Sequence, residues 1–495
     1  MRTIRKTSAS VDAIVSSVFG LDQLRPGQRQ VIDNVLAGRH TLAIMPTGAG
    51  KSLCYQVPAL LKSGLTLVIS PLIALMRDQC EKLTALDLEA VQINSAVGAD
   101  DARRAKARIR RRAVEFIFTT PEQVLSEELS PLLSTARVDL IVIDEAHCIS
   151  QWGHDFRPAY VEALQAIRGF RDATVLALTA TAPPEVLDDI QAQLGLGPLA
   201  VVNTGVHRPN LHYAVRPVES ESDKQRQVID ILRSVQGAAI VYAASVRHVE
   251  AVARVLEAEG LDAVTYHGRM PAKARSTSHE AFMSGQTPRV VATNAFGMGI
   301  DRADIRAVVH YDLPASLDVY YQESGRAGRD GRPAECILLF QRKDRALQSF
   351  FLAGRYPTRD DVIAVGEALR QVSGGTVTVP ELRAAVGAVA QGKMRVILNL
   401  LKENGAVREH RGARLEVTPR LASVDLDAIA ASYDERRARE RTKLEQMTVY
   451  GQTALCRTRL LLEALGDDTA APSCDHCDNC CGEAERAVAT APGAA

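Results

Sequence analysis

Two short segments of this chain carry residues that can bind and hydrolyse a nucleoside triphosphate. Residues 45–52 read MPTGAGKS, a glycine-rich turn whose backbone N–H groups can face phosphate oxygens. Lys51 supplies a positive charge for the outer phosphates, and the Ser52 hydroxyl is a ligand for Mg²⁺. Met45 stands where the usual phosphate-loop pattern has a glycine. The predicted nucleotide contacts from this turn are Thr47, Gly48, Gly50, Lys51 and Ser52.

The second segment follows an apolar run at residues 140–143, which reads LIVI and is typical of a buried parallel strand. It is followed directly by Asp144 and Glu145. We predict that Asp144 orders the magnesium ion and that Glu145 polarises the attacking water. Together the two segments predict a site for ATP and Mg²⁺.

Two further segments complete the predicted nucleotide site. Residues 320–331 read YYQESGRAGRDG, and Arg326 and Arg329 are spaced to lie on one helical face, from which they can reach a γ-phosphate across a domain cleft. Gln322 belongs to the same catalytic set. Upstream, Arg25 and Gln28 form a short turn where the amide of Gln28 can recognise an adenine edge.

The cysteines indicate a metal site. Of nine cysteines, three stand in the run CDHCDNC at residues 474–480, and Cys456 precedes them. Four thiolates suit tetrahedral Zn²⁺, with an iron–sulfur cluster as the alternative, and His476 and Cys481 are spare donors. We predict a structural zinc bound by Cys456, Cys474, Cys477 and Cys480.

The composition limits the elements that must position these residues. A chain of 495 residues is expected to form several domains. Its hydrophobic content is 46%, and it lacks an apolar run of the ~20 residues that a membrane span needs, which argues against a membrane protein. The N-terminal residues show no signal-peptide pattern, so we expect a cytoplasmic protein with reduced thiols.

Two stretches alternate strand-like and helical patterns, which predicts two α/β domains with parallel sheets. The predicted strands are residues 41–45, 65–70, 115–119, 140–143 and 174–179 in the first domain, and 239–242, 289–293, 307–310 and 336–340 in the second. The linker is expected near residues 207–210. Helical periodicity at 381–386 and 394–404, followed by a hairpin turning near Gly412, suggests a winged helix, and residues 425–465 are helical again.

In these motifs and their order the chain resembles the RecQ family of superfamily 2 DNA helicases, over roughly residues 10–345 and 425–481. The most diagnostic stretch is residues 148–158, CISQWGHDFRP. The resemblance implies two RecA-like motor domains and a loop that couples single-stranded DNA to ATP hydrolysis; stacking on its aromatic rings is worth about 1–3 kcal/mol per base. The predicted DNA contacts are Gln151, Trp152, His154, Phe156 and Arg157 in this loop, with Ser70, Thr119, Thr120 and Thr293 binding the backbone.

The expected domains are 1–206 and 207–356 for the two motor domains, 357–422 for the winged-helix-like insert, 423–481 for the helical zinc-binding module, and 482–495 for a disordered tail. Because the insert precedes the zinc module, the family's usual domain order is changed. We expect an ATP-dependent helicase that moves 3′-to-5′ on single-stranded DNA and unwinds duplex or branched DNA in repair and recombination, as a monomer. The alternatives are an RNA helicase, a duplex translocase, and an ATP-gated DNA-structure binder that unwinds weakly.

Overall fold

The structure is a computed structural model that describes residues 10–150, 156–297, 300–372, 375–387, 389–410, 414–467 and 471–481. The described parts of Met1–Asp312, Leu317–Leu339 and Ala454–Ala495 form one compact unit. A second compact unit comprises Leu313–Ser316 and Phe340–Thr453.

A seven-stranded sheet with parallel neighbours forms the first half of the larger unit. Its strands are Thr41–Ile44 (β1), Leu65–Ile69 (β2), Ala90–Ile93 (β3), Phe116–Thr119 (β4), Val138–Ile143 (β5), Thr174–Thr179 (β6) and Ala200–Asn203 (β7), in the order β3-β4-β2-β5-β6-β1-β7. Around it lie helices Val11–Ser17 (α1), Gln28–Leu36 (α2), Leu53–Leu61 (α3), Ile73–Ala85 (α4), Ala99–Arg110 (α5), Pro121–Val124 (α6), Ser130–Ser134 (α7), Pro158–Ile167 (α8) and Pro184–Leu194 (α9).

The register of this sheet brings the polar segments to one edge. Ile143 at the end of β5 pairs with Ile69 of β2 and with Ala177 of β6, and Ile44 of β1 pairs with Thr179 of β6. The segments that leave these strands therefore start side by side. They include the phosphate loop, Ser70 and Asp144, as expected for ligand sites at the carboxyl ends of parallel strands.

A six-stranded sheet forms the second half. Its strands are Leu211–Pro217 (β8), Ala238–Tyr242 (β9), Val264–Tyr266 (β10), Arg289–Ala292 (β11), Ile305–His310 (β12) and Ala334–Phe340 (β13), in the order β10-β11-β9-β12-β13-β8. Its helices are Glu221–Ser234 (α10), Val246–Ala258 (α11), Ala272–Met283 (α12) and Leu317–Ser324 (α13). The two parallel-sheet domains confirm the predicted fold class.

The sequence predicts five strands in the first sheet and four in the second, so four strands are missed. These are β3, β7, β8 and β10. In the sheet order, β3, β7, β8 and β10 are all edge strands. Edge strands are less completely covered than central ones, so their sequences lack the long apolar runs that mark buried strands.

The smaller unit combines helices with a three-stranded antiparallel sheet in the order β14-β16-β15. Its elements are Asp344–Arg355 (α14), Arg359–Arg370 (α15), Thr376–Thr378 (β14), Val379–Val386 (α16), Gln391–Glu403 (α17), Val407–His410 (β15), Arg414–Val417 (β16) and Leu426–Gln452 (α18). Arg411 and Gly412, where the hairpin is predicted to turn, lie outside the described residues. The winged-helix interpretation of this unit stays a prediction.

The chain is not one continuous helix over residues 425–465. Helix α18 ends at Gln452, and a separate helix, Arg457–Ala464 (α19), belongs to the larger unit. Thr453 after α18 is extended, and the Cys456 thiol caps the start of α19 by accepting a hydrogen bond from the Arg459 N–H at 3.4 Å. Within the described ranges, no helix combines the length and the apolar character that crossing a bilayer requires.

A buried ionic cluster stabilises the second sheet and should make its stability depend on pH. The Asp312 carboxylate lies 2.8 Å from His248 Nδ1 and 3.4 Å from Lys224 Nζ. The hydrogen bond that His248 donates to Asp312 raises the pKa of His248, and burial opposes this. The charges of Asp312 and Glu221 raise the pKa further, and the charge of Lys224 lowers it. For Asp312, burial raises the pKa, but His248 and Lys224 outweigh burial and lower it overall.

Because the folded pKa of His248 is raised, its contribution to stability is full below its unfolded pKa and is lost as the pH rises through the folded value. Asp312 stays ionised throughout that range. We therefore expect the stability difference between wild type and His248→Gln to be larger at about pH 6 than at about pH 9. Thermal unfolding of both proteins at the two pH values tests this, and a difference that stays constant or grows with pH would contradict it.

Candidate active site

The phosphate loop has the backbone that anion binding requires. Gly48 and Gly50 have φ values of +84° and +77°, a region that residues with a side chain rarely adopt. Lys51 Nζ donates a hydrogen bond to the Met45 carbonyl oxygen at 3.1 Å, and Ser52 leads into α3. Burial lowers the pKa of Lys51, and the charges of Glu145 and Asp144 act against it.

Arg25 and Gln28 brace the phosphate loop from outside. Gln28 Nε2 donates to the carbonyl oxygens of Ala49 and Gly50 at 3.0 and 2.9 Å. Its Oε1 accepts from the Arg25 N–H at 2.7 Å, and Arg25 donates to the Gly48 carbonyl. The Gln28 amide is thus engaged with the protein backbone, and its predicted contact with adenine stays a prediction.

Asp144 lies beside Lys51 and Ser70 at the end of β5. The Ser70 hydroxyl donates to Asp144 Oδ2 at 3.2 Å, and the Tyr160 hydroxyl donates to the Asp144 carbonyl at 2.8 Å. Burial and the neighbouring Glu145 raise the pKa of Asp144 to about 7, and Lys51 lowers it. A divalent cation favours the ionised carboxylate, so this donor set fits Mg²⁺.

Glu145 has a strained backbone, which is common at functional positions. Its φ is +51°, in the left-handed region that non-glycine residues seldom adopt. Its carboxylate lies 3.3 Å from His147 Nδ1, and the same nitrogen lies 3.1 Å from the Thr179 hydroxyl. Glu145 is therefore held between the end of β5 and the end of β6.

These residues line a cavity of about 850 Å³. The predicted residues that line it are Arg25, Gln28, Thr47, Gly48, Gly50, Lys51, Ser52, Ser70, Asp144, Glu145, Gln322, Arg326 and Arg329. Among the described residues, Arg326 Nε and Arg329 Nε are buried nitrogens without a hydrogen-bond partner. A cavity of this size with lysine and arginine side chains and a carboxylate pair can hold a nucleoside triphosphate.

Arg326 and Arg329 do not lie on a helix, which corrects the prediction of a shared helical face. Helix α13 ends at Ser324, and both arginines belong to a turn-rich loop, residues 325–331, which we call the arginine loop. Gly328 and Gly331 take φ values of +56° and +82° there. These positive φ values let the loop fold back, and both arginine side chains still reach the same cavity.

Asp301 also lines the cavity, although it is not among the site residues predicted from the sequence. Its carboxylate accepts from Lys82 Nζ at 2.7 Å and from Arg329 Nη1 at 2.9 Å, so it connects α4 of the first sheet to the arginine loop. Burial raises the pKa of Asp301, but Lys82 and Arg329 outweigh burial and lower it overall. No signal in the sequence pairs Asp301 with these two cations.

The predicted DNA-binding hydroxyls are engaged within the protein. The Thr119 side chain is buried and donates to the Ile93 carbonyl at 3.0 Å, and the Ser70 hydroxyl bonds Asp144 instead. Thr120 and Thr293 are also buried, and Thr293 Oγ1 accepts from the Ala295 N–H at 3.4 Å. Their predicted contacts with a DNA backbone stay predictions.

Part of the predicted DNA-sensing loop can be placed. Gln151, Trp152 and His154 lie outside the described residues, whereas Phe156 is half-buried. The Arg157 N–H donates to the Cys148 carbonyl at 3.0 Å, and Arg157 Nη1 donates to the Pro71 carbonyl at 3.3 Å. The second end of this loop is therefore fixed near the segment that follows β2.

A second groove of about 770 Å³ runs between α4, α5, β3 and α12. Its positively charged lining residues are Arg77, Arg104, Arg108 and Arg275, with Asn94 and His279 beside them. Arg104 pairs with Asp101, and Arg108 pairs with Glu89. Helix α5 thus contributes Arg104 and Arg108 to a concave surface.

The four predicted zinc ligands come together. The sulfur atoms of Cys456, Cys474, Cys477 and Cys480 lie within 4.8 Å of one another. Tetrahedral zinc with bonds of about 2.3 Å places its sulfurs about 3.8 Å apart, so this cluster fits a Zn²⁺ ion. Backbone N–H groups donate to the sulfurs of Cys474 and Cys477 at 3.2 and 3.4 Å. Such donors stabilise thiolates.

The zinc loop is anchored to the second sheet. Arg457 Nε pairs with Asp478 Oδ1 at 2.8 Å, and both side chains are buried. Asp478 Oδ2 also accepts from the Val215 N–H at 2.8 Å, and the Asp478 N–H donates to the Tyr213 carbonyl at 3.0 Å. Since β8 carries Tyr213 and Val215, the metal site is joined to the sheet through one aspartate.

We expect purified protein to contain about one zinc and no iron per chain, because four sulfurs within 4.8 Å of one another fit a single tetrahedral ion. Cys456→Ser should lose most of the zinc and lower the midpoint of thermal unfolding. The matched control is Cys80→Ser, which changes a half-buried cysteine outside the cluster and should retain the metal. Elemental analysis of the three proteins measures this; stoichiometric iron, or zinc retained by Cys456→Ser, would refute the assignment.

Three family models match the chain. The DEAD/DEAH box helicase model matches residues 25–190, the helicase conserved C-terminal domain matches residues 223–331, and the RecQ zinc-binding model matches residues 422–481. The first two matches fall on the two parallel-sheet domains. The third includes all four clustered cysteines.

Curated relatives that match the chain are also named as helicases. The chain is 34% identical over 490 residues to a Synechocystis protein named ATP-dependent DNA helicase RecQ, covering 95% of this chain and 98% of that protein. It is 41% identical over 342 residues to the Haemophilus influenzae protein of that name, covering 69% of this chain and 55% of the relative. A Bacillus subtilis relative of that name is 41% identical over 343 residues, covering 69% and 58%. The chain thus spans little more than half of several relatives.

Solved structures share the fold. The Mycobacterium smegmatis helicase Lhr bound to ssDNA and AMP-PNP aligns with a TM-score of 0.57 at 19% identity, covering 90% of this chain and 62% of that one. The Saccharomyces cerevisiae protein Dbp5 bound to RNA and ADP BeF3 aligns with a TM-score of 0.57 at 17% identity, covering 79% and 97%. At these identities the likeness concerns the fold alone.

Proposed function

The chain belongs to the RecQ helicase family, and we propose that it is an ATP-dependent DNA helicase that moves 3′-to-5′ on single-stranded DNA. The observation that carries the proposal is the single cavity that collects Lys51, Asp144, Glu145 and the arginine loop. Cavity-lining residues come from both parallel-sheet domains, so nucleotide binding can change how the domains close.

Each residue has a defined role in the proposed reaction. Ser52 and Asp144 would hold Mg²⁺, which would offset the negative charge of the phosphate groups when bound. Lys51 and the phosphate-loop N–H groups bind the outer phosphates, and Glu145 and Gln322 orient the attacking water. Arg326 and Arg329 stabilise charge that develops on the γ-phosphate. The nucleotide-binding set also includes Arg25, Gln28, Thr47, Gly48 and Gly50.

DNA is proposed to contact the second groove and the predicted DNA-sensing loop, residues 151–157. The groove offers arginine side chains for phosphate groups. DNA contacts are proposed for Ser70, Thr119, Thr293 and residues 151, 152, 154, 156 and 157. The engaged hydroxyls of Ser70 and Thr119 must change partners, or their segments must bind through backbone N–H groups.

The proposed domains are residues 1–206, 207–356, 357–422 and 423–481, with 482–495 as a tail. We propose single-stranded and branched DNA as partners, action as a monomer, a role in repair and recombination, and a cytoplasmic location. The zinc site supports that location, because its thiolates bind metal only when reduced.

ATP hydrolysis measured without nucleic acid, with single-stranded DNA, and with RNA of the same sequence tests the proposal. Strong stimulation by DNA is expected if the proposed stacking and phosphate contacts couple DNA binding to the ATP site. Hydrolysis that only RNA stimulates would point to an RNA helicase. Hydrolysis that neither nucleic acid stimulates would reject a DNA-driven motor.

A further inference from the structure

We infer that Arg208 is a positioning residue that ties the phosphate loop to the arginine loop, so that Arg326 and Arg329 meet the nucleotide bound at Lys51. This inference rests on the proposed ATP hydrolysis. Arg208 lies in the segment that joins the two parallel-sheet domains, and it is half-buried. The predicted linker is therefore also a structural contact between the two halves of the site.

The guanidinium group of Arg208 binds both loops at once. Its Nη1 donates to the Thr47 carbonyl at 2.7 Å and to the Gly325 carbonyl at 3.2 Å. Its Nη2 donates to the carbonyls of Ala327 and Gly328 at 3.0 and 2.9 Å. Thr47 belongs to the phosphate loop, and the other three carbonyls belong to the arginine loop.

All five N–H donors of Arg208 are used. Besides the four bonds to carbonyls, its Nε donates to Asn210 Oδ1 at 3.3 Å. Asn210 Nδ2 in turn donates to the carbonyls of Gly328 and Arg332 at 2.8 and 2.9 Å. A planar group with five donors can satisfy carbonyls in several directions, whereas a lysine has three donors at one point.

Neighbouring elements hold the linker in place, so the position of the Arg208 backbone is fixed. The Val206 N–H donates to Asp467 Oδ2 at 3.1 Å, and the Val206 carbonyl accepts from the Tyr321 hydroxyl at 2.5 Å. Asp467 follows α19, and Tyr321 lies in α13. The zinc-bearing segment and the helix before the arginine loop therefore hold the linker from two sides.

The carbonyls bound by Arg208 alternate with the arginines that line the cavity. Arg326 lies between Gly325 and Ala327, and Arg329 follows Gly328. Hydrogen bonds to these carbonyls therefore fix the backbone positions of both arginines. Gly325 also lies against Thr47, since a Cβ atom placed on Gly325 would be 3.6 Å from Thr47 Cβ. Movement of either loop is thus transmitted to the other through Arg208.

A positioning role predicts a specific kinetic change. Arg208→Ala should lower kcat for ATP hydrolysis by about 10²-fold, the loss expected when reacting groups shift by about 1 Å. KM for ATP should change by less than about threefold, because the groups displaced act chiefly in the transition state. Arg208→Lys should lose a similar factor, since it keeps the charge but not the five-donor geometry.

The test compares wild type, Arg208→Ala, Arg208→Lys and the control Arg216→Ala, an exposed arginine on β8 that donates to Gln227. DNA-stimulated kcat and KM, thermal unfolding midpoints, and the response to low millimolar guanidinium chloride are measured for each. We expect wild-type kinetics for Arg216→Ala, and reduced kcat with unchanged unfolding midpoints for both Arg208 variants. Added guanidinium should partly restore Arg208→Ala alone.

Wild-type kcat in either Arg208 variant would overturn the inference and leave the proposed function intact. So would a loss of kcat that accompanies a lowered unfolding midpoint and is not rescued by guanidinium, because that pattern indicates a role in folding only. Wild-type protein that fails to hydrolyse ATP would overturn the proposed function and this inference with it.

Discussion

Lys51→Ala is expected to reduce ATP hydrolysis by at least about 10²–10³-fold, the loss found when one preorganised donor is removed from a site of developing charge. Lys51 lies in the same cavity as Asp144, Glu145 and both arginines of the arginine loop. Removing it takes away the lysine that is proposed to bind the outer phosphates. Binding of single-stranded DNA should persist, because the proposed DNA path does not include Lys51.

The matched control is Lys62→Ala. Lys62 lies at the other end of α3, where its ammonium group donates to the Thr174 hydroxyl at 3.3 Å, away from the cavity-lining residues. Steady-state hydrolysis and DNA binding by fluorescence anisotropy are measured for both variants. A Lys51→Ala protein that turns over ATP at the rate of the control would refute the assignment of the phosphate site.

Arg329→Ala should reduce kcat by about 10³–10⁵-fold, the range that arginine fingers contribute in other nucleoside triphosphatases. The Arg329 guanidinium is buried in the cavity, and burial lowers its pKa while Asp301 acts to raise it. Its bond to Asp301 at 2.9 Å holds it in place without covering its buried Nε. ATP binding should change much less than turnover, since the charge it stabilises develops during the reaction.

Arg332→Ala provides the comparison for Arg329→Ala. Arg332 is exposed, follows Arg329 by three positions and does not line the cavity. Single-turnover hydrolysis and equilibrium binding of a fluorescent ATP analogue separate chemistry from affinity. If Arg329→Ala loses affinity and turnover by the same factor, or loses no more than Arg332→Ala, then Arg329 is not the catalytic finger.

The sequence predicts the central parts of the fold because each depends on residues that are close together in the sequence. Strand β5 is buried over almost all its length, so its residues form an apolar run, and the carboxylate that follows is at the sheet edge. The phosphate loop is predictable because Gly48 and Gly50 both need positive φ. The four cysteines are predictable because closely spaced thiols have few other uses in a reducing compartment.

Other features of the site cannot be predicted from the sequence, because they depend on contacts between residues that are distant in sequence. The bonds from Arg208 to Thr47 and Gly328 span 161 and 120 positions, and the bond between Lys82 and Asp301 spans 219. No periodicity or motif in the sequence indicates that residues so far apart along the chain are in contact. The prediction of a helix for the arginine loop is wrong for a related reason, because i, i+3 spacing occurs both in helices and in glycine-containing turns.

The buried hydroxyls show a further limit. Thr119 and Ser70 stand at strand ends where a DNA contact is expected, yet the structure gives both hydroxyls protein partners. A sequence shows which residues carry donors, whereas a structure shows whether those donors are already used. The same reasoning applies to Gln28, whose amide supports the phosphate loop.

Strand separation on DNA duplexes with either a 3′ or a 5′ single-stranded tail, with and without ATP, tests the proposed helicase most directly. A duplex with a 3′ RNA tail serves as the control that distinguishes DNA from RNA in the single-stranded tail. The account predicts ATP-dependent opening of the 3′-tailed DNA and little opening of the other two. Opening of the 5′-tailed DNA alone, or DNA-stimulated ATP hydrolysis without any opening, would contradict it.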